Sequence, residues 1–329
     1  MLKFMNKKYN LFYLMFYLIS FFFIFFLNSY YSLWVFMELN LILFISLMIM
    51  ESDFLSDKIM KYYLMSSFSS MIFLFFINMN LFNLMSNYLF ILNLMMMMKL
   101  GMFPFHLWFI DMIMGLNWFL CFFLMTFQKL IPLLILKNFY MELMIILFSI
   151  MNCLFSMMMS FNQIYLKKLI GYSSIIHLSW VMSSILISMK MWMIYFLFYL
   201  LMTMILMIQL NYFNLDMISD LYLYKNMNLF LLFFIMLSIG GVPPMFGYFI
   251  KLMFMMKYIN IQSIIFLMIL IFCSLIFLFF YMRLIYSIMM MKMEVKKNFL
   301  SYLFMKNMKF IYLIWMILLW MIMMIIWLI

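Results

Sequence analysis

Leu11–Leu27 reads LFYLMFYLISFFFIFFL, and Leu39–Met50 reads LNLILFISLMIM. Both stretches are almost wholly apolar, and neither shows the period-two alternation of a strand in a membrane barrel. The rest of the chain follows suit: of 329 residues 72% are hydrophobic and 9% are charged. A soluble globular protein is about half apolar and about a quarter charged, so one soluble core cannot hide this much apolar surface. The bilayer is the solvent for most of the chain. In that solvent backbone N–H and C=O groups must pair within the protein. Runs that are apolar on every side satisfy this as α-helices.

A span needs roughly 20 apolar residues. On that measure the sequence predicts an all-α, polytopic membrane helix bundle of about eleven transmembrane helices. They fall near 9–27, 33–50, 59–77, 81–110 with a break, 116–136, 142–160, 171–189, 191–211, 227–258 with a break, 261–287 and 310–329. Nothing reads as a soluble domain, so 1–329 is taken as one transmembrane domain, with a core over about 30–260 and C-terminal helices over 261–329. The first apolar run ends in Asn28-Ser29-Tyr30-Tyr31, with no small-residue cleavage site, and it is read as a span rather than a cleaved signal.

The formal charge of +11 raises nucleic acid as a partner, but the basic residues sit between spans and membrane topology accounts for them. With the N-terminus inside, the inner segments hold Lys3, Lys7, Lys8, Lys58, Lys61, Lys167, Lys168, Lys225, Arg283, Lys292, Lys296, Lys297, Lys306 and Lys309. The outer segments hold Lys137, Lys190 and Lys257. That asymmetry is the positive-inside pattern, and it favours an odd number of spans. Cys121, Cys153 and Cys273 lie far apart without a CxxC, and only His106 and His177 are histidines. This argues against a disulfide framework, a zinc site or an iron–sulfur cluster.

Four ionisable residues fit no loop: Glu38, Lys99, Lys129 and Lys251. A charge at mid-span costs about 2.5–3.5 kcal/mol on insertion scales, and such residues usually face the bundle interior or a wet cavity. Lys129 lies about a dozen residues into its span, about 18 Å deep at the helical rise. Lys99 precedes Gly101 and Pro104, and Lys251 follows Gly240-Gly241 and Pro243-Pro244. Gly and Pro free backbone groups from the helical ladder, which is tolerated at depth only where protein or water satisfies them again. Paired broken helices of this kind occur at the ion sites of transporters. Lysine also suits a proton relay: burial disfavours the ammonium form, a nearby carboxylate favours it, and arginine stays charged throughout. Four such residues, two of them near breaks, favour a relay over static ion pairing. His177 is open to two readings, a satisfied interior histidine or a relay member. His106, in the turn after Pro104-Phe105, reads as structural, and Asp111 as a helix cap or anchor near the inner surface.

Methionine (51) and phenylalanine (45) are abundant and alanine is absent. Methionine here fills apolar space as leucine does. The bias toward residues with A+T-rich codons, together with so much methionine, resembles a chain encoded in an animal mitochondrial genome.

The segment Lys99-Leu100-Gly101-Met102-Phe103-Pro104-Phe105-His106-Leu107-Trp108 resembles the K-x-G-x-x-P-F-H-x-W block of the antiporter-like membrane subunits of respiratory NADH dehydrogenase. Trp34–Asn40, Asp111 with Gly115–Trp118, Thr126–Pro132, Leu169–Trp180 and Gly240–Lys251 continue the likeness in order, and together they are similar to the chain 2 family of NADH–ubiquinone oxidoreductase. The likeness runs from about Trp34 to Lys251. Gly171 stands where that family commonly has Ala, and Phe127 where Trp is common.

The resemblance implies a core subunit of the membrane arm of complex I, an antiporter-like fold, and the mitochondrial inner membrane with the N-terminus in the matrix and the C-terminus in the intermembrane space. It implies enzyme membership only as part of a proton-translocating NADH:ubiquinone reductase. No cofactor is expected in this chain, since NADH, FMN, iron–sulfur clusters and ubiquinone belong to other subunits. The expected partners are other membrane-arm subunits, especially chain 4L and chain 4, and lipids such as cardiolipin. The expected relay residues are Glu38, Lys99, Lys129, Lys251 and His177, with Glu38 and Lys99 as a charge pair. The buried residues alone also permit a free-standing cation/proton antiporter, or a scaffold whose charges only specify helix packing.

Overall fold

The structure is a computed structural model and describes residues 8–24, 29–51, 56–81, 88–222, 229–243, 245–259 and 264–290. Its helices, in chain order, are α1 (Lys8–Ile24), α2 (Tyr30–Glu51), α3 (Ser56–Leu81), α4 (Tyr88–Leu100), α5 (His106–Gly115), α6 (Trp118–Met125), α7 (Phe127–Phe139), α8 (Glu142–Ser160), α9 (Leu166–Ile187), α10 (Met189–Phe213), α11 (Leu229–Gly240), α12 (Phe246–Tyr258) and α13 (Ile264–Met290). A 3₁₀ turn covers Ile218–Tyr222. Among the described residues there is no named strand, only an isolated antiparallel bridge between Tyr165 and Met217. Seven described stretches are long and apolar enough to cross a bilayer, with Phe12–Phe21 and Leu89–Leu100 as shorter apolar helices. The run 310–329, read from sequence as the last span, lies outside the described residues.

The centre of the bundle is α9, buried along nearly its whole length. It packs against α8, α10 and α5, and touches α12 and α13. On one side α1, α2 and α3 stack in sequence, and α4 lies between α3 and α7. On the other, α10, α11 and α13 close the bundle. The outward faces carry Phe68, Met71, Leu143, Met158, Ile265 and Phe272, all exposed. This inversion of the soluble pattern fits an apolar solvent that leaves no reason to bury such side chains.

Both breaks expected from Gly and Pro are present, and both are built the same way. At the end of α4 the amide of Gly101 donates to the Met98 carbonyl and that of Met102 to the Met97 carbonyl, each at 3.1 Å. At the end of α11 the amide of Gly241 donates to Leu237 and Ser238, and that of Val242 to Leu237. This is the Schellman ending, with a left-handed residue just past the helix. Gly101 has φ +67° and Gly241 φ +81°, backbone that other residues adopt at a cost. The Phe103–Pro104 peptide that follows is cis.

A third interruption went unread in the sequence. The span expected as continuous over 116–136 is divided at Thr126, which has φ −119° and ψ −76°, and it runs on to Phe139. Pro132 lies inside α7, six residues beyond Thr126. It has no N–H for the carbonyl four residues earlier, and its ring crowds that carbonyl. The Thr126 hydroxyl donates to the Phe122 carbonyl at 2.7 Å and closes the end of α6.

Candidate functional site

The freed backbone groups at the two breaks find partners, and those partners define the site. At the first break the Phe103 amide donates to Oδ1 of Asn152 on α8 at 2.6 Å. The Trp108 indole donates to the Met98 carbonyl at 3.2 Å. At the second break the donor is a charge: Nζ of Lys251, reaching back from α12, lies 3.0 Å from the Gly240 carbonyl at the end of α11. A cation belongs at this end of a helix, where the carbonyl dipoles converge. Lys251 is buried, with Nζ 5.8 Å from the centre of the Trp180 ring.

Lys129 is one turn beyond the Thr126 interruption and only 2% exposed. Its ammonium donates to the Ser174 hydroxyl at 3.2 Å and lies 4.4 Å from the Phe109 ring centre, a cation–π distance. Phe109 is held there by the first break. A Cβ built on Gly101 would stand 2.7 Å from Cβ of Phe109, so the missing side chain at Gly101 is what lets the aromatic ring approach.

Lys99 sits in the last turn of α4, half-buried, with Nζ 3.4 Å from Sδ of Met37. Lys99 and Lys129 line one cavity, walled also by Tyr62, Ser66, Phe109 and Gln128. It offers about 30 Å³ to the centres of water-sized molecules. Holding one water takes only about 10–15 Å³ by that measure, with polar partners at hand. Gln128 is fixed at the wall from both ends: its amide nitrogen donates to Tyr17 Oη at 3.0 Å, and its carbonyl accepts from Tyr62 Oη at 3.1 Å.

Glu38, on α2, accepts a hydrogen bond from Ser70 on α3. It makes no direct ion pair with Lys99. Among the described residues the close ion pairs are Lys61–Asp111 at 3.4 Å and Lys167–Asp216 at 2.9 Å. What adjoins Lys99 is Met37, the neighbour of Glu38 in sequence. Asp111 lies inside α5 rather than at its end, and pairs with Lys61 as an anchor between α3 and α5.

His177 is buried on α9, with Nδ1 3.3 Å from Tyr195 Oη and its ring 5.4 Å from that of Tyr199. It lies within electrostatic reach of both Lys129 and Lys251. Tyr199 Oη donates to the Met125 carbonyl at 3.4 Å, at the lip of the Thr126 interruption. His106, at the start of α5, stacks on Phe103 and is buried beside the first break.

The structure thus brings Lys99 and Lys129 to one cavity, and lays Ser174, Tyr199, His177 and Tyr195 between Lys129 and the Lys251 end. Sequence reading missed Ser70, Tyr62, Gln128, Asn152, Ser174, Tyr195 and Tyr199. A partial signal was available. Ser174, His177 and Trp180 recur every three residues and Tyr195 and Tyr199 are four apart, so each set shares one helix face.

Comparisons with known proteins agree with this architecture. Residues 28–277 match the family described as NADH:quinone oxidoreductase/Mrp antiporter, transmembrane. The chain is similar to NADH-ubiquinone oxidoreductase chain 2 of Anopheles gambiae, 32% identical over 281 residues, covering 81% of this chain and 82% of that protein. It is 35% identical over 272 residues to the protein of the same name from Lumbricus terrestris, covering 78% of this chain and 80% of the relative. Its fold is similar to a chain of respiratory complex I from Thermus thermophilus, with TM-score 0.71 and 18% identity, over 78% of this chain and 64% of that one. It is similar also to a chain of the Mrp complex from Dietzia sp. DQ12-45-1b, with TM-score 0.68 and 13% identity, over 78% of this chain and 56% of that one. The chain therefore spans less than two thirds of these two solved chains.

Proposed function

The chain belongs to the NADH:quinone oxidoreductase/Mrp antiporter transmembrane family, and from that premise we propose that it moves protons as a core membrane-arm subunit of a mitochondrial NADH:ubiquinone oxidoreductase. The observation that carries the reading is the water-sized cavity lined by both Lys99 and Lys129. Two ammonium groups on one small, largely apolar cavity repel each other, so a proton gained by one favours release from the other.

A proton on Lys99 passes through water in the cavity to Lys129. From Lys129 it passes through the Ser174 and Tyr199 hydroxyls and His177 toward Lys251. Hydroxyls and imidazole each donate and accept, as a relay requires. Glu38 sits at the entry end, and its charge biases Lys99 from a distance rather than through a direct pair. Lys251 is held by the Gly240 carbonyl until the α11–α12 break opens. The redox steps, with NADH, FMN, iron–sulfur clusters and ubiquinone, belong to other subunits. The likeness to proteins named NADH-ubiquinone oxidoreductase chain 2 supports membership of the complex; in the proposed arrangement the chain sits in the inner membrane beside chains 4L and 4, with lipids such as cardiolipin around it. The asymmetry of basic residues supports an N-terminus in the matrix and a C-terminus in the intermembrane space.

The test joins assembly to transport. On a native gel the chain should co-migrate with NADH dehydrogenase activity, and Lys129→Met should assemble normally while lowering the protons moved per NADH. Migration with unrelated proteins would shift the reading to a cation/proton antiporter outside that complex, the second choice because the family's description also names Mrp antiporters. Unchanged proton output from an assembled Lys129→Met complex would end the relay assignment.

A further inference from the structure

Two cysteines meet in the bundle although they lie far apart in the chain. α8 and α13 pack side by side. Just past the end of α8, the Gln163 carbonyl accepts from Nη2 of Arg283 at 3.3 Å, an offset of 120 positions. Beside it the rings of Phe161 and Phe280 meet edge to face at 4.9 Å. The two helices therefore run in the same direction in a fixed register. Two helical turns earlier, the same offset sets Cys273 of α13 against Cys153 of α8.

Both residues are buried free thiols, and they are hydrogen-bonding neighbours. Cys153 Sγ also lies 2.8 Å from Ser179 Oγ on α9. The Ser179 hydroxyl already donates to the Ile176 carbonyl. The Cys153 thiol is thus the donor to Ser179, and its sulfur is left to accept from Cys273. Lys251 lies within electrostatic reach of Cys153, and its neutral amine can take a thiol proton. A base and a resolving thiol beside one sulfur set a redox pair apart from an inert core cysteine. Neither sulfur is open to solvent, so the oxidant must be small and uncharged. Hydrogen peroxide qualifies, and glutathione disulfide does not.

We propose that Cys153 and Cys273 are a modification site for a small hydroperoxide, which oxidises them to a disulfide that ties α8 to α13. The Cys153 proton passes to Lys251, and the thiolate sulfur attacks one peroxide oxygen. The O–O bond breaks, and the departing hydroxide takes the proton back from Lys251 as water. Cys153 is then a sulfenic acid. The Cys273 sulfur attacks the Cys153 sulfur, and the S–O bond breaks as the S–S bond forms. The hydroxide leaves with the Cys273 proton as a second water. The thiol pair gives up two electrons, and they reduce the peroxide.

The tie reaches the second break. A Cβ on Gly240 would stand 3.4 Å from the Tyr281 ring and 3.8 Å from Leu278, so α13 lies directly on the helix end that Lys251 closes. Held to α8, α13 keeps that end shut. This consequence rests on the proton relay proposed above, whereas the cysteine chemistry does not.

The test treats the assembled complex in its membrane with hydrogen peroxide, then denatures it in N-ethylmaleimide and digests it. Mass spectrometry should find a peptide pair joined through Cys153 and Cys273, separated again by dithiothreitol. Cys121, whose thiol is directed at the Ile113 and Leu116 carbonyls, should still alkylate. Cys153 and Cys273 that both still alkylate, or that end as separate sulfonic acids, would overturn the proposal. Cys273→Ser removes the resolving thiol and should carry Cys153 on to the sulfinic acid. A Cys153 that stays reduced in that variant would overturn its role as the attacking thiol. An equal yield of the joined pair from glutathione disulfide would overturn the hydroperoxide. In vesicles, proton output per NADH should fall in step with the joined fraction, recover with dithiothreitol, and not fall this way in Cys153→Ser. Joining with unchanged output would overturn the hold on the break, while the relay itself is judged separately by Lys129→Met.

Discussion

The Lys251 ammonium closes the end of a half-helix eleven residues before it, donating to the Gly240 carbonyl at 3.0 Å. Near the end of the first half-helix, two residues further back in register, the neutral indole of Trp108 donates to the Met98 carbonyl at 3.2 Å. The two breaks share their Schellman geometry and their left-handed glycine, and differ in whether the closing donor can lose a proton. Of the two donors, the Lys251 ammonium titrates and the Trp108 indole does not.

Replacing Lys251 with methionine strands the Gly240 carbonyl, at about 1–3 kcal/mol for a buried group left unpaired. The variant is expected to assemble with a lower inactivation temperature and reduced proton output per NADH. Lys251→Arg restores the donor but stays charged. It should recover the thermal stability and not the pumping. Pumping by Lys251→Arg at the native rate, read by quenching of a pH-sensitive dye in vesicles, would show that deprotonation of this residue is not required.

Gly101→Ala and Gly171→Ala both add one methyl beside α5, with opposite expectations. At Gly101 the methyl enters left-handed backbone, about 1–2 kcal/mol on its own, and meets Cβ of Phe109 at 2.7 Å. That atom is present in every residue but glycine, so Phe109→Leu should not rescue it. Because Phe109 cradles Lys129, proton output should fall with stability. At Gly171 the methyl meets only the mobile ends of Ile110 and Ile113, at 3.0 and 3.1 Å. A change within about 1 kcal/mol is expected there, below the usual cost of overpacking. The amount of assembled complex on native gels and its thermal half-life compare the two.

Ser174 is the hydrogen-bond partner of the Lys129 ammonium. Ser174→Ala should leave assembly intact and slow proton transfer roughly fivefold, the effect of about 1 kcal/mol from one hydrogen bond. Ser173→Ala makes the same chemical change one position along the helix, where the hydroxyl donates to Ile170 instead, and should leave the rate near native. Equal rates for the two variants would remove Ser174 from the path.

Gln128→Leu removes one polar group from the wall of the cavity between Lys99 and Lys129 and leaves the hydroxyls of Tyr17 and Tyr62 each short of a partner. A loss of about 1–3 kcal/mol for the unpaired groups is expected, along with a fall in pumping larger than that of Ser174→Ala. Tyr17→Phe with Tyr62→Phe in the same chain should return the stability but not the pumping. Thermal inactivation and proton output, measured on the same preparation, separate the two effects.

Much of this was legible in the sequence because the bilayer makes hydrophobicity almost sufficient. Runs such as Leu39–Met50 have one workable conformation in hydrocarbon, and Lys99, Lys129 and Lys251 stand out against them. The glycines and prolines at 101–104 and 240–244 marked two breaks. The third escaped because it falls at Thr126, a residue that helices commonly carry, with no glycine or proline beside it. The expected Glu38–Lys99 pair escaped for another reason. Sequence spacing fixes which face of a helix a side chain shares, but not whether two long side chains on α2 and α4 meet or settle on Ser70 and Met37. Asn152, Gln128 and Tyr195 were hidden likewise: their polarity has a purpose only once another helix is beside them.

The breaks also bear on how the chain enters a membrane. Over the described residues α4 covers 13 and α11 covers 12, which at the helical rise is about 20 Å or less for each, against a hydrocarbon core about 30 Å thick. Each of these half-helices ends at a break, among the described residues, rather than at a polar loop. Each must wait for α5 or α12, and each exposes unpaired carbonyls until Trp108 or Lys251 folds back onto them. An insertion machinery that releases segments in order would therefore hold these two regions longest. Substitutions at Trp108 or Lys251 would be noticed during synthesis, before any question of transport arises.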